Sequence, residues 1–120
     1  MSSYIANFRS LDYNKRLAEY KKVGKDHPDR CAVIVGRADN STMPEIDKHK
    51  FLVPRDITLG QFSYILRQRI NLSPDQALFL FIDNHMPLAS SLMDSIYDIH
   101  KDEDNFLYIT YANENTFGSF

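Results

Sequence analysis

The sequence predicts a single α+β domain of 120 residues. Two observations carry this prediction. Short apolar runs typical of strands alternate with segments of helical period, and no segment is an internal repeat or of low complexity. Hydrophobic residues make up 43% of the chain and charged residues 25%, which is the balance of a globular protein with one core.

The N-terminal part of the chain carries helical signals. Residues 4–26 have a helical pattern, with Asp12 as an N-cap and an apolar stripe of Leu17, Tyr20 and Val23. The pattern stops before the next proline, since the residue that precedes a proline avoids the helical region.

Two strands are expected next. Residues 31–35 form a short β-branched run that predicts a buried strand, and residues 39–44 have the composition of a loop. Residues 50–53 predict a second strand that stops at Pro54. Because proline cannot donate a hydrogen bond to a ladder, this second strand is expected at an edge of the sheet.

A helix follows, and its start is well marked. Thr58 and Gln61 have the spacing of a capping box, which predicts a helix that ends near residue 71. Residues 73–76 indicate another short helical start, with a proline at the first helical position.

The remaining segments complete a recognisable order. Residues 77–82 are continuously apolar, which predicts a central strand buried on both faces, and residues 83–84 indicate a turn. Residues 91–94 begin one more helix, and residues 106–111 form the last strand. The order helix, strand, strand, helix, strand, short helix, strand is that of a β-grasp domain preceded by an added helical segment.

Charge narrows the classes of function. The formal net charge is -2 and the sequence pI is about 6.0, which argues against a nucleic-acid partner. Residues 1–60 hold 11 Lys and Arg against 8 Asp and Glu, a balance of +3, whereas residues 61–120 hold 3 against 8, a balance of -5. The basic half can attract acidic peptide segments, or it can be an ordinary solvated surface of mixed charge.

Membrane and secretory signals are not found. The N-terminus lacks the basic and apolar runs of a secretory signal, and no apolar stretch approaches the roughly 20 residues of a membrane helix. The expected location is the cytosol, so any membrane attachment would come from chemistry added later.

Catalytic and metal-binding sets are also not expected, so the chain is predicted not to be an enzyme. Cys31 is the single cysteine, and its pairing with a histidine as a nucleophile is the alternative to a cysteine buried in a strand. No two histidines are four residues apart, which excludes a helical metal pair. The acidic run 102–104 lacks the spacing and glycine of a calcium loop and is expected to be a solvated turn.

Gly118 stands out on chemical grounds. It lies two residues from the C-terminus and is followed by Ser119 and Phe120. A glycine in a tail suits chemistry on its own carbonyl, because without a Cβ a narrow enzyme cleft can close around the backbone. The alternative is a frayed terminus that happens to contain a glycine.

Three motifs resemble those of the autophagy-related ubiquitin-like modifiers, a lipid-conjugated family that includes the GABARAP branch. Residues 47–62 read DKHKFLVPRDITLGQF, and the family pattern is DKxK[YF]LVPxD[LI]T[VL]GQF. Residues 28–30 read PDR, as in the family. Residues 104–108 and 114–118 read DNFLY and ENTFG, similar to the family's DGFLY and ENTFG.

The resemblance implies an architecture. The fold would be a ubiquitin-like β-grasp, with a four-stranded mixed sheet and two additional N-terminal helices. Residues 1–26 would be the helical extension, residues 27–112 the β-grasp body, and residues 113–120 a flexible tail with the cleavage site after Gly118.

The resemblance also implies a conjugation cycle. A processing cysteine protease would cut between Gly118 and Ser119, and activating and conjugating enzymes would then carry the Gly118 carboxyl as thioesters. Phosphatidylethanolamine would receive it as an amide, and its two acyl chains give stable anchoring. The activating enzyme uses ATP, so this chain needs no cofactor. The protein would be cytoplasmic, and on the autophagosome membrane when lipidated.

The family recruits cargo receptors through short aromatic-x-x-aliphatic motifs, and the motif peptide adds a strand beside the second strand. By matched position, the aromatic pocket consists of Glu19, Val23, Ala32, Ile34, Lys50, Leu52 and Phe106. The aliphatic pocket consists of Phe51, Val53, Pro54, Ile57, Phe62, Ile65, Leu66 and Arg69. Acidic residues that flank the motif would meet Arg30, Lys48 and Lys50. The alternative is that most of the apolar members are core residues.

The sequence departs from the family pattern at three places. Ala32 stands where the family usually has proline, within the aromatic pocket. Gly36 and Arg37 replace the usual Glu-Lys pair, and Asp12-Tyr13 lacks the usual proline before the second helix. The N-terminal segment is therefore the part of the chain in which we first expect mobility or partner binding to differ from that of the family.

Two other functions stay open. An unconjugated binding or trafficking adaptor would dock motif peptides or cytoskeletal proteins, with the basic N-terminal helices as its working surface. A hydrolase would use Cys31 as its nucleophile.

Overall fold

The computed structural model describes residues 2–114. In chain order its elements are α1 Ser3–Arg9, α2 Tyr13–Gly24, β1 Arg30–Arg37, β2 Lys50–Pro54, α3 Leu59–Ile70, β3 Phe79–Phe81, α4 Met93–His100 and β4 Leu107–Ala112. This is the predicted order, with two N-terminal helices. The prediction of an α+β chain of β-grasp type is therefore confirmed.

The four strands form one mixed sheet in the order β2-β1-β4-β3. The central strands β1 and β4 are parallel, whereas β2 is antiparallel to β1 and β3 is antiparallel to β4. β2 lies at an edge, as the proline at its end predicts.

The sheet separates two hydrophobic clusters, because alternate residues of a strand point to opposite faces. Cys31, Val33 and Val35 belong to the cluster that also contains the buried residues of α3 and α4. Ala32 and Ile34 belong to the cluster formed with α1 and α2. We call these the α3 core and the α1 core.

Local sequence signals are borne out at two places. The Gln61 N–H donates to Thr58 Oγ1 at 3.1 Å and the Thr58 N–H donates to Gln61 Oε1 at 2.8 Å, so the capping box of α3 is confirmed. Asp83 and Asn84 have φ angles of 50° and 65°, which are those of a tight turn. The predicted turn is confirmed.

The prediction of a central strand at residues 77–82 is wrong. β3 has three residues and lies at the edge opposite to β2. Its neighbourhood is nevertheless buried on both faces, since Leu80 and Ile82 join the α3 core while Phe81 packs with Ala112 on the other side. The continuous apolar run reflects burial on both faces, and not the position of the strand in the sheet.

The short helix expected at residues 73–76 does not form. The Gln76 N–H donates to the Ser73 carbonyl at 3.1 Å, and the Ser73 N–H donates to Gln76 Oε1 at 2.9 Å. These two bonds close a single turn, and no helix follows it before β3.

The N-terminal helices are separated by residues 10–12. Asp12 precedes α2 as predicted, although its side chain makes no capping hydrogen bond.

Each of the helices in residues 2–114 is too short or too polar to cross a membrane.

Candidate functional site

The free edge of β2 is the starting point of the candidate site. The Val35 N–H donates to the His49 carbonyl at 2.7 Å, which makes these two residues a hydrogen-bonded pair of the antiparallel ladder. Because such pairs alternate with non-hydrogen-bonded pairs, the backbone groups of Lys50 and Leu52 point away from β1. They lie where an added strand can bond to them.

The side chains of β2 point to two different faces. Leu52 lies opposite Ala32 and packs against the α1 core, and Lys50 lies opposite Ile34 on the same face. Phe51 and Val53 belong to the α3 core. The two predicted pockets therefore lie on opposite sides of one strand edge.

A cavity of about 510 Å³ opens on the α2 side of this edge, and its lining residues are Val23, Arg30, Lys48, Lys50, Phe51, Leu52 and Phe106. Four predicted members of the aromatic pocket are among them, together with the three predicted contacts for acidic flanks. Ala32 and Ile34 are 1% and 0% exposed, and they lie in the α1 core beneath the cavity. For these two residues the alternative of a core role holds.

Glu19 joins the site through an ion pair. Lys50 Nζ donates to Glu19 Oε1 at 2.7 Å. This hydrogen bond lowers the pKa of Glu19 below its usual range, against the opposing effect of burial. An acidic residue of a bound peptide would therefore compete with Glu19 for the Lys50 ammonium group.

The basic side chains at the rim are held by the strand itself. Arg30 donates from Nη1 to the Leu52 carbonyl at 3.4 Å, so its guanidinium lies at the free edge. Lys48 Nζ lies 4.9 Å from the centre of the Phe51 ring, at cation–π distance. The positive charges thus surround the cavity at the place where a strand would be added.

The predicted aliphatic pocket is divided between core and surface. Phe51, Val53, Phe62 and Leu66 are buried in the α3 core, as the core alternative holds. Pro54 and Ile57 are half-buried, Ile65 is 42% exposed and Arg69 is exposed. Ile65 and Arg69 lie four residues apart on one face of α3. The surface that a peptide can reach is therefore Pro54, Ile57, Ile65 and Arg69.

Two aromatic residues that sequence reasoning did not assign to the site support its floor. The ring of Phe106 meets Phe8 of α1 edge-on at 5.5 Å and Tyr20 of α2 edge-on at 5.9 Å. Tyr20 stands three residues before Val23 in the apolar stripe of α2, and that spacing was the available signal for it. Phe8 had no comparable signal.

The acidic run 102–104 is not a solvated turn throughout, contrary to prediction. Asp104 is 0% exposed and accepts hydrogen bonds from Arg16 Nη1 at 2.8 Å, from the Phe106 N–H at 2.9 Å and from the Tyr108 hydroxyl. Arg16 belongs to α2, so this buried pair ties α2 to the start of β4, next to Phe106.

Cys31 has the surroundings of a core residue. Its side chain is 0% exposed and its Sγ lies 3.6 Å from the Met93 carbonyl oxygen. Burial raises the pKa of the thiol to about 11, so the group stays protonated at neutral pH and is a poor nucleophile. Across residues 2–114, no three His, Cys, Asp or Glu side chains come together as a metal site.

The end of β4 is clamped by the loop after β1. The Asn113 side chain donates to Thr42 Oγ1 at 2.8 Å, and the Ile46 N–H donates to the Tyr111 hydroxyl at 2.8 Å.

The predicted cleavage bond between Gly118 and Ser119 lies outside the described residues, as does the predicted tail from residue 115 onward.

A family model agrees with these features. The model described as autophagy protein Atg8, ubiquitin-like, matches residues 15–118 of this chain. The match includes α2 from residue 15 onward, the whole sheet and the chain up to Gly118.

Individual relatives agree over nearly the full length. The chain is 53% identical over 108 residues to autophagy-related protein 8e of Arabidopsis thaliana, covering 90% of this chain and 88% of that protein. It is 50% identical over 118 residues to autophagy-related protein 8 of Mycosarcoma maydis, covering 98% of both.

Two solved structures share the fold. The crystal structure of Trypanosoma brucei ATG8 superimposes with a TM-score of 0.84 at 41% identity, covering 98% of this chain and 99% of that one. Plasmodium falciparum Atg8 in complex with a Plasmodium falciparum Atg3 peptide superimposes with a TM-score of 0.78 at 36% identity, covering 88% and 94%.

Proposed function

This chain belongs to the Atg8 family of ubiquitin-like autophagy proteins, and we propose that it is conjugated through Gly118 to phosphatidylethanolamine and recruits motif-bearing receptors to autophagosomal membranes. The modifier itself is not a catalyst in this proposal. It is cytoplasmic before conjugation and membrane-bound afterwards.

The recruiting role is supported chiefly by the free edge of β2, which has a potential binding surface on each face of the sheet. A peptide strand added there would bond to the outward backbone groups of Lys50 and Leu52. In an aromatic-x-x-aliphatic motif the two anchors are three residues apart, and an odd separation places them on opposite faces of a strand. One face of this edge has the 510 Å³ cavity. On the other face Ile57 packs against the α3 core, and Ile65 is exposed on α3, whose buried residues belong to that core.

The positive charge around the cavity also favours a motif peptide with acidic residues as the bound partner. Arg30, Lys48 and Lys50 surround the cavity, so acidic residues before or within the motif would find cationic partners at the rim. Part of the net positive charge of residues 1–60 therefore lies at the site, although basic residues outside the site also contribute to that charge.

The conjugating role rests on Gly118 and on the family. Gly118 lies six residues after the end of β4 at Ala112, and an extended chain of that length reaches at most about 20 Å. We propose that a processing protease, an activating enzyme and a conjugating enzyme act there in turn. The Atg3 peptide bound to the Plasmodium falciparum relative supports a conjugating-enzyme partner. We also propose the division into residues 1–26, 27–112 and 113–120.

Conjugation is tested on the full-length chain with the family's processing protease, activating enzyme, conjugating enzyme, ATP and vesicles that contain phosphatidylethanolamine. The expected intact mass after the protease step is that of the chain without Ser119 and Phe120, followed by the mass of the lipid conjugate. Gly118→Ala should fold as the wild type and form no conjugate. A mass that stays full-length, while a relative is cut in parallel, would favour the unconjugated adaptor.

Recruitment is tested by peptide affinity. Leu52→Ala should weaken an aromatic-x-x-aliphatic peptide about tenfold, because side chains at the centre of an interface dominate its affinity. Lys50→Ala should weaken it less, since a rim cation contributes mainly through the acidic flank. Calorimetric titration measures both variants. Unchanged affinity in both would show that the groove lies elsewhere.

A further inference from the structure

The first turn of α1 docks on β1 at Gly36. A Cβ at residue 36 would lie 2.2 Å from Ser2 Oγ and 3.0 Å from Ile5 Cγ1. Ser2 is 1% exposed and Ile5 is 8% exposed. These two residues therefore fill the space that any other side chain at position 36 would occupy, and the departure of Gly36 from the family pattern has a structural counterpart in Ser2.

Two further contacts hold the same end of α1. The Ser3 N–H and hydroxyl both donate to Asp39 Oδ1, at 2.8 and 2.6 Å. The Tyr4 ring stacks on the His49 ring with centroids 3.6 Å apart and an interplanar angle of 8°. The position of α1 along the sheet is therefore fixed at its N-terminal end.

The other end of α1 reaches the aromatic pocket. Phe8 is 8% exposed and meets the Phe106 ring edge-on at 5.5 Å. Lys50 Nζ lies 5.5 Å from the centre of the Phe8 ring. Phe106 and Lys50 both line the cavity. The Phe8 side chain therefore packs behind two of the residues that form the cavity.

We propose that Phe8 and Gly36 are positioning residues of the aromatic pocket: Gly36 sets where α1 docks, and docked α1 places Phe8 behind Phe106 and Lys50. The inference rests on the proposed motif groove. Without Phe8, the Phe106 ring has space to move away from the cavity, and the pocket is no longer pre-formed. The aromatic anchor of a motif then binds with fewer contacts, because part of its binding free energy is spent on ordering the site.

The effect should be confined to one anchor. Ile65 belongs to α3, and the aliphatic side of the edge is built on the α3 core, which is a separate cluster from the α1 core. Displacement of α1 should therefore leave the aliphatic anchor unchanged. A general loss of folding would weaken both anchors alike, which makes the two causes distinguishable.

The first test is a double-mutant cycle by calorimetric titration of the full chain. The probes are a synthetic Trp-x-x-Leu peptide with a neutral flank, so that Lys50 has no acidic partner on the peptide, its Trp→Ala form and its Leu→Ala form. Phe8→Ala should weaken the parent and the Leu→Ala peptide by the same factor, about fivefold, and should leave the Trp→Ala peptide unchanged. Asn7→Ala, an exposed neighbour on α1, should bind all three as the wild type does. Equal weakening of all peptides by Phe8→Ala, or none, would overturn the inference.

The second test uses Gly36. Gly36→Ala should weaken the parent peptide, and Ser2→Gly in the same chain should restore it to within about twofold, because Ser2 Oγ is the closest atom that the new methyl group meets. Ser2 also caps α1 by accepting from the Ile5 N–H, so Ser2→Gly alone is the control and should bind as the wild type does, since glycine is also accepted at a helix N-cap. Circular dichroism checks that all three variants are folded. A folded Gly36→Ala chain that binds normally, or a double variant that shows no recovery, would overturn the inference. A wild-type chain that binds no peptide would overturn the groove itself.

Discussion

The two faces of the sheet are covered in different ways. Among residues 2–114, the α3 core contains nineteen buried residues, most of them aliphatic, whereas the α1 core contains six, of which Phe8, Phe106 and Tyr108 are aromatic. Hydrophobic stabilisation scales with the apolar area removed from water, so most of it comes from the α3 side. The smaller cluster borders the cavity and the ion pairs, which indicates that its main contribution is to shape the site.

The largest expected effect distinguishes the two cores by stability. Leu66→Ala in the α3 core should lower the free energy of unfolding by about 2–5 kcal/mol, as deletion of a fully buried leucine does. Phe8→Ala should cost less than half as much, because α1 can detach locally while the rest of the chain stays folded. Urea unfolding followed by circular dichroism measures both. A greater loss for Phe8→Ala would contradict the division into a stabilising core and a shaping core.

A smaller effect is expected at the buried ion pair of the α1 side. Asp104→Asn removes the charge that faces Arg16, and the unfolding free energy should fall by about 2 kcal/mol, because Arg16 retains some access to water. The matched control is Asp47→Asn, which breaks the exposed pair with Arg69 and should cost less than about 0.5 kcal/mol. Equal losses in the two variants would mean that the burial of Asp104 adds nothing.

The distinction can also be tested on the surface of α3. Ile65→Ala should weaken an aromatic-x-x-aliphatic peptide about fivefold, since Ile65 offers a 42% exposed aliphatic surface on α3 to which the proposed groove assigns the aliphatic anchor. Its stability should change little, as is usual for exposed positions. Tyr64→Ala is the matched control, because Tyr64 is exposed on a neighbouring face of the helix and should leave the affinity unchanged. A larger loss of affinity in Tyr64→Ala than in Ile65→Ala would show that the aliphatic pocket lies nearer to Tyr64.

The smallest effect concerns pH. Lys50 lowers the pKa of Glu19 in the folded chain, so this pair contributes stability above the usual pKa of a glutamate and loses it as pH falls through the lowered value. Both side chains are partly exposed, which limits the contribution to a few tenths of a kcal/mol. The unfolding free energies of wild type and Glu19→Gln should therefore differ at pH 7 and converge below about pH 4. A constant difference over that range would exclude the pair as its source.

The sequence predicted most reliably the features that depend on neighbouring residues. The capping box of Thr58 and Gln61 and the turn at Asp83 and Asn84 involve residues a few positions apart, so composition and spacing are sufficient to find them. The edge position of β2 was also predictable, because Pro54 cannot continue a ladder.

The errors arose where distant segments meet. β3 was predicted to be central because its apolar run is buried on both faces, but strand order depends on pairing with β4 and not on the run itself. Asp104 was predicted to be solvated because its partner Arg16 lies 88 residues away in the chain. Phe8 was missed for the same reason, since it supports Phe106 from a helix at the other end of the chain and no local pattern connects the two residues.

The most direct test of the β2 edge is amide hydrogen exchange of the full chain with and without a bound Trp-x-x-Leu peptide. The amides of Lys50 and Leu52 point away from β1, so they should become protected only when the peptide is bound. The amides of Phe51 and Val53 already bond to β1 and should show no comparable gain. Protection that appears at Phe51 and Val53 instead, or at residues away from β2, would contradict the account.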